Sequence, residues 1–367
     1  MTDLLLAYGF PRDLLPPAGS QARPARVTAV FKERFQLMTQ DGERYGSLKA
    51  KEYLYDGGQA FPTTGDYVLA LPAPGGWQIV RTLPRRSFFS RLDSWHGTEQ
   101  AVAANMDVVF AVQSLNENFN LNRLERYLTL SWNSGAKPVV VLTKLDLPGE
   151  HEEQIAAAQR AAGTAPVIAL SSKTGQGMDQ LLPYLAPGST AAFLGSSGVG
   201  KSSLINRLGS LDAALPGSPE GEAPPPAFPQ KRMATASVRE KDGMGRHTTT
   251  YRQLLRLPGG ALVIDTPGMR ELGMWDSLEG LGEAFPDVER YLGRCRFSDC
   301  RHENEPGCAI LAAIAQGELS VERWKSYRQL REESRRGPRK KQGQPSKALA
   351  RAQRQEKKYR KKFPEQY

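Results

Sequence analysis

Gly195-Ser196-Ser197-Gly198-Val199-Gly200-Lys201-Ser202 matches a phosphate-binding loop at every position, and the residues around it leave little choice of fold. The apolar run Ala191 to Leu194 precedes it, and a helical stretch begins near Ser202. Such a loop works where a buried strand hands over to a helix N-terminus, because backbone amides and the helix dipole then converge on an anion. Lys201 is placed to bridge terminal phosphates, the Ser202 hydroxyl to reach Mg²⁺, and Ser203 to complete the first turn. Further apolar runs occur at Val108 to Val112, Pro138 to Leu142, Val167 to Leu170 and Leu262 to Ile264. Helical stretches such as Leu121 to Trp132 and Met178 to Leu185 lie between them. Buried strands alternating with helices imply an α/β, mostly parallel sheet covered on both faces.

Two base-recognition motifs precede this loop instead of following it. Thr143-Lys144-Leu145-Asp146 ends one apolar run, and Ser171-Ser172-Lys173 ends the next. The Asp146 carboxylate can accept from the ring N–H and exocyclic amine of guanine; adenine offers neither donor, and a carboxylate left unpaired is the costly error in recognition. Lys144 would pack its stem on the base, and amides near Ser172 would donate to the guanine oxygen. The motif order resembles that of circularly permuted P-loop GTPase domains.

Asp265-Thr266-Pro267-Gly268 follows the last strand, where an acidic residue holds Mg²⁺ through water and Gly268 senses the terminal phosphate. In Gly245-Arg246-His247-Thr248-Thr249-Thr250, Thr249, with Thr248 as the alternative, would complete the metal shell. Many GTPases orient water with a Gln after Asp-x-x-Gly; here that place is Met269, which makes His247, two residues from Thr249, the candidate.

Arg26 to Arg86 alternates in short runs around turns such as Gln40-Asp41-Gly42 and Pro72 to Gly76, as a small OB-like β-barrel would. The Pro- and Gly-rich stretch from Leu208 to Gly245 is too long for an ordinary loop. Cys295, Cys300, His302 and Cys308 supply three thiolates and an imidazole in a short span, the closed Cys₃His set of a structural Zn²⁺, organising a small helical domain. The net charge of +10 is concentrated in a tail: Lys325 to Lys362 carries 16 Lys or Arg against three Glu, a net of +13, so the rest of the chain is near −3. Charge that dense suits a phosphate-rich partner. No apolar run approaches the roughly 18 residues of a membrane span, and no secretory leader is visible, so the expectation is a soluble, cytoplasmic protein without a membrane partner.

The full motif order, with a barrel before it and a Cys/His cluster after it, resembles the ribosome small subunit-dependent GTPase A family. The resemblance implies GTP hydrolysis to GDP, stimulated by the small (30S) subunit through 16S rRNA and acting late in its maturation, and it implies a water-positioning role for His247. The expected domains are an extension at 1–25, a barrel at 26–90, the GTPase domain at 91–275, a zinc-binding α-helical domain at 276–335 and a basic tail at 336–367. We expect a monomer. This chain departs from the usual pattern in having Thr143 where the base motif ordinarily begins with Asn, and in the length of its insert. Two other readings use the same motifs: a nucleotide-regulated RNA chaperone or scaffold, and a GTPase acting on another RNA or a protein complex.

Overall fold

The fold is built from strands that alternate their side chains between two cores. In a computed structural model that describes residues 3–17, 19–31, 34–49, 53, 60–92, 99–210, 252–265 and 277–335, β8 (Val108–Ser114) is buried along its whole length. Val109 and Ala111 enter one hydrophobic core while Val108, Phe110 and Val112 enter the other, as a strand covered on both faces demands. It pairs in parallel with β9 (Lys137–Thr143) and β11 (Thr190–Leu194), and the parallel set is completed by β10 (Val167–Ala169) and β13 (Leu262–Asp265). The order is β10-β9-β8-β11-β13, with β12 (Gln253–Arg256) antiparallel at its end.

The N-terminal module is β1 (Arg23–Phe31), β2 (Arg34–Thr39), β3 (Gly42–Leu48), β4 (Tyr67–Ala73) and β5 (Gly76–Thr82). Their order β1-β2-β3-β5-β4 closes through β1–β4 pairing, with β3 and β5 parallel, which gives a closed five-stranded barrel. The sequence does not show that β1 also pairs with β12, through Ala29 and Gln253, so barrel and central sheet form one eleven-stranded sheet. Arg26 bolts the junction from inside. Fully buried, it donates to Tyr8 O at 2.5 Å, Thr190 Oγ1 at 2.8 Å, and Gly65 O and Asn105 O at 3.3 Å. A hairpin of β6 (Phe88–Leu92) and β7 (Glu99–Ala104) follows and sends Phe89 and Val102 into the same core as Val109.

The helices, in chain order, are α1 (Asp3–Ala7), α2 (Leu121–Asn133), α3 (Glu152–Ala162), α4 (Lys201–Ser210), α5 (Leu278–Ala284), α6 (Pro286–Glu289), α7 (Ala309–Ala315) and α8 (Val321–Arg335). Helix α2 starts where Asn120 Oδ1 accepts from the Arg123 amide at 2.9 Å, and α8 starts where Ser320 Oγ accepts from the Arg323 amide at 3.1 Å, both N-caps. The helical stretch expected at Met178 to Leu185 is a 3₁₀ helix over Met178–Tyr184, because Pro183 has no amide to continue an α-helical ladder. Cys308, Ile310, Ala313 and Trp324 of the C-terminal segment share one core with Leu124 and Leu128 of α2, so the small helical region leans on the central sheet rather than enclosing a core alone.

Candidate nucleotide site and metal centre

The phosphate loop, both base motifs and Asp265 lie at the carboxyl ends of parallel strands, where open α/β sheets bind their ligands. The phosphate loop leaves β11 at the centre of the sheet and enters α4 at Lys201. Two glycines are there for steric reasons. A Cβ on Gly195 would stand 2.8 Å from Val112 O, and Gly200 has φ +97°, which L side chains rarely adopt. Lys201 Nζ donates to Gly195 O at 2.6 Å and Ser196 O at 2.8 Å, holding the ammonium against the loop rim. Ser202 and Ser203 follow in the first turn of α4. Ser197 and Gly198 form the exposed crown of the loop, and Val199 anchors it in the core.

Thr143 ties the base motif to this loop. Its buried hydroxyl donates to Val199 O at 2.5 Å, with Gln113 O also in reach at 3.2 Å. Lys144 then takes a left-handed backbone, φ +64°, a conformation unusual outside glycine. Leu145 N donates to Leu170 O at 3.1 Å, which brings the two base motifs side by side. Ser171 joins them: its hydroxyl donates to Asp146 Oδ1 at 2.5 Å and accepts from the amides of Lys173 (3.2 Å) and Thr174 (3.1 Å). The Ser171 bond holds the Asp146 carboxyl below the usual carboxylate range, so the group is an ionised acceptor at neutral pH. Ser172 follows Ser171 in the same turn.

Arg123, on the first turn of α2, was not singled out by any sequence pattern. Its Nη1 donates to Ser196 Oγ of the phosphate loop at 3.0 Å and to Asn118 Oδ1 at 3.1 Å. The residues just beyond it turn to the C-terminal helix. Glu125 Oε1 accepts from Arg323 Nη1 at 2.6 Å, its other oxygen accepts from the Ser326 hydroxyl, and Arg126 Nη2 reaches Glu333 Oε2 at 2.5 Å. Glu125 and Arg323 are 6% and 10% exposed at their side chains, so this ion pair is largely out of water. Arg323 also donates to Asp287 Oδ1 at 2.9 Å and Ala284 O at 2.7 Å and lies 3.9 Å over the Phe285 ring. Burial alone would lower its guanidinium, yet Asp287 and Glu125 hold it above its ordinary value.

Cys295, Cys300, His302 and Cys308 come together, with all ligand atoms within 4.8 Å of one another. His302 Nδ1 lies 3.4 Å from Cys295 Sγ, 3.6 Å from Cys300 Sγ and 3.4 Å from Cys308 Sγ; Cys295 and Cys308 sulfurs are 3.9 Å apart. A tetrahedron with metal–sulfur bonds of about 2.3 Å and a metal–nitrogen bond of about 2.0 Å has edges of about 3.5–3.8 Å, so the four atoms fit one ion. His302 pays for its aim with φ +61° and sets its ring edge-on to Trp324, 5.4 Å away. The Ala309 amide donates to Cys295 Sγ at 3.4 Å. Glu305 braces the intervening loop by accepting from the amides of Arg301 (2.9 Å), Glu303 (2.9 Å) and Asn304 (3.1 Å), and these bonds, the Arg301 amide foremost, bring its carboxyl to about 2.

His247, Thr248, Thr249, Gly268 and Met269 lie outside the described residues, as do most of the Pro- and Gly-rich insert and the basic tail. Asp265 is described as the last residue of β13. No helix among the described residues is long and apolar enough to cross a membrane.

The family model described as RsgA GTPase matches residues 82–275. A small ribosomal subunit biogenesis GTPase RsgA 2 of Lactiplantibacillus plantarum is 42% identical over 310 residues, covering 84% of this chain and 82% of its own. Among solved structures, YjeQ from Thermotoga maritima is 25% identical with a TM-score of 0.59, covering 85% of this chain and 98% of that one. YloQ, a circularly permuted GTPase, is 21% identical with a TM-score of 0.57 and covers 88% and 100%, a likeness of fold.

Proposed function

The chain belongs to the RsgA GTPase family, and from that premise we propose that it hydrolyses GTP on the small ribosomal subunit during biogenesis and uses the change of nucleotide state to loosen its own hold there. The subunit stimulates hydrolysis, 16S rRNA is the main contact, and the protein acts as a cytoplasmic monomer. One observation carries the coupling: a single helix, α2, touches the phosphate loop through Arg123 and grips the metal-bearing region through Glu125 and Arg126.

The roles follow from the geometry and the motif chemistry. Lys201 leaves its carbonyl partners on the loop to meet the β- and γ-phosphates, whose other oxygens take the loop amides. Asp146, held ionised by Ser171, reads guanine. Ser202, Asp265 and Thr249 hold Mg²⁺, which when bound neutralises charge developing on the phosphoryl oxygens. His247 orients the attacking water, a task Met269 cannot perform, and Gly268 reports the terminal phosphate. The Cys₃His set holds Zn²⁺: a mixed thiolate–imidazole donor set with no open position is the structural zinc chemistry.

The test is GTP turnover with and without purified 30S and 50S subunits. Stimulation by 30S alone is expected; equal stimulation by both, or by neither, removes the small subunit from the proposal. A His247→Ala protein should still bind GTP but stay on the subunit. Release at the wild-type rate would leave the RNA scaffold reading in its place.

A further inference from the structure

The phosphate-loop pattern leaves its second position free, yet Ser196 there is 6% exposed and its hydroxyl is engaged. Arg123 Nη1 donates to Ser196 Oγ at 3.0 Å, and Asn118 Nδ2 approaches the same oxygen at 3.4 Å. Among the described residues the half-buried Arg123 side chain meets only neutral oxygens, the others being Asn118 Oδ1 at 3.1 Å and Asn118 O at 3.4 Å. A charged donor makes such a bond about twice as strong as a neutral one. The arm behind it is rigid. Leu124 and Leu128 are fully buried, and Asn116 Oδ1 accepts both from the Ser114 hydroxyl at the end of β8 and from the Asn118 amide. Beyond the guanidinium opens a cavity of about 520 Å³ whose far wall is Ser326, Gln329 and Leu330 of α8. Arg123 and Ser196 both line this cavity, so their bond rather than close packing fixes them there.

Ser196 sits at the end of the loop where the terminal phosphate belongs. Lys201 Nζ, the group that meets the β- and γ-phosphates, lies against Gly195 O at 2.6 Å and Ser196 O at 2.8 Å. The opposite end of the loop is tied by Thr143 at Val199 O, next to the amides at the start of α4 that cradle the α- and β-phosphates. Ser197 and Gly198, the exposed crown, lie between the two ties. We infer that Arg123 is a positioning residue for GTP hydrolysis: by holding Ser196 it aims the crown amides at the γ-phosphate and sets the point from which Lys201 reaches it. Donors aimed at charge that develops in the transition state lower the barrier without adding to ground-state binding. Loss of Arg123 therefore slows the chemical step and leaves GTP affinity nearly unchanged, opposite in kind to loss of the Thr143 tie. The inference rests on the nucleotide half of the proposed function and not on the subunit.

The test is single-turnover GTP hydrolysis by the full-length protein without subunits, beside equilibrium binding of a fluorescent GTP analogue. Arg123→Met keeps the apolar stem, and it keeps the start of α2 because Asn120 caps the main-chain amide of residue 123. Its rate should fall about ten- to hundred-fold while Kd stays within about threefold of wild type. Arg123→Lys should return to within about threefold of the wild-type rate, since all three contacts come from one nitrogen and an ammonium can make them. Ser196→Ala removes the receiving hydroxyl and should lose as much, and the double variant no more than either alone, as for two ends of one interaction. Arg160→Gln, which removes an exposed charge from α3, should hydrolyse GTP like wild type. An Arg123→Met rate within about twofold of wild type, additive losses in the double variant, or a fall in affinity that accounts for the whole effect overturns the inference. Ser196→Ala, which removes a single atom, tests the same bond if Arg123→Met fails to fold. A parallel series with 30S subunits reads the proposed function separately: wild type without stimulation by 30S defeats that reading, while the subunit-free rates decide the role of Arg123 alone.

Discussion

Replacing Thr143 by Val separates the hydroxyl from the shape of the side chain that joins base motif to phosphate loop. The residue is 1% exposed, and its hydroxyl donates to Val199 O at 2.5 Å. Valine keeps the volume and removes the donor. The Val199 carbonyl, one residue before Gly200 and two before Lys201, then sits without its partner in a site too closed for easy replacement by water. Leaving such an acceptor unmet costs about 1–3 kcal/mol. The tie orders the loop that must present its amides to phosphate, so the cost should fall on GTP affinity, weakening Kd by about 5- to 150-fold. Asparagine is the informative partner variant. One hydroxyl proton cannot serve both Val199 O and Gln113 O, which stands 3.2 Å from the same oxygen, whereas an amide has two N–H groups. Thr143→Asn should therefore bind GTP within about threefold of wild type or more tightly, since a regained hydrogen bond is worth about 1 kcal/mol. Equilibrium titration with a fluorescent GTP analogue reads both. A valine protein whose Kd stays within twofold of wild type, at unchanged melting temperature, refutes the role given to this hydroxyl.

Two further perturbations address the neighbouring links. Asp146 is held below its ordinary carboxylate value by Ser171, so its contribution to guanine binding is fully present above about pH 4 and is lost only as pH falls through the lowered value. Ser171→Ala should weaken GTP binding and move that acid limb upward, measurable by the same titration at a series of pH values; a limb that stays in place counts against Ser171. Arg323→Met leaves Glu125 buried and unpaired and should destabilise the protein by about 3–5 kcal/mol, most of which an added Glu125→Leu should recover. Urea denaturation of the two single variants and the double variant closes the cycle, and strictly additive losses would show that the pair is not coupled.

The parts of the fold visible in the sequence are those with short-range causes. Parallel strands buried on both faces must be continuous apolar runs, so Val108 to Val112 and Ala191 to Leu194 announce themselves. The metal cluster is legible because its ligands lie within 14 residues and its chemistry admits few other uses. What escaped detection depends on distant partners. The pairing of β1 with β12 joins Ala29 to Gln253, and Arg26 reaches Thr190 across 164 positions with no carboxylate to hint at a pair. Arg123 reads as one more cation on an exposed helical turn until the phosphate loop, 73 residues later, comes back to meet it. The helical stretch at Met178 to Leu185 is a misjudged type rather than a missed element: its apolar spacing suits α and 3₁₀ turns alike, and Pro183 decides.

In this permuted order the segment after Asp265 leads directly toward the C-terminal region, and residues 266–276 lie outside the described residues. The contacts of α2 supply a second route that does not need it. Arg123, Glu125 and Arg126 fall within three residues, about 4.5 Å along a helix axis, so a shift of the phosphate loop at one end cannot be absorbed before it meets α8 at the other. Helix α8 in turn has two working faces. Arg323, Ser326 and Glu333 bind α2, while Arg328, Arg331 and Arg335 fall on the other side by the 3.6-residue period and line a concavity beside the metal loop. The thickness of one helix thus separates the nucleotide side from that concavity. A rotation of α8 that alters the Arg323–Glu125 contact re-aims the arginines opposite, and coupling of this kind is reciprocal: whatever favours one setting of α8 also favours one state of the phosphate loop. Under the proposed function, stimulation of hydrolysis by the subunit and release after hydrolysis would be the same equilibrium seen from its two ends, whatever the order in which the chain visits its strands.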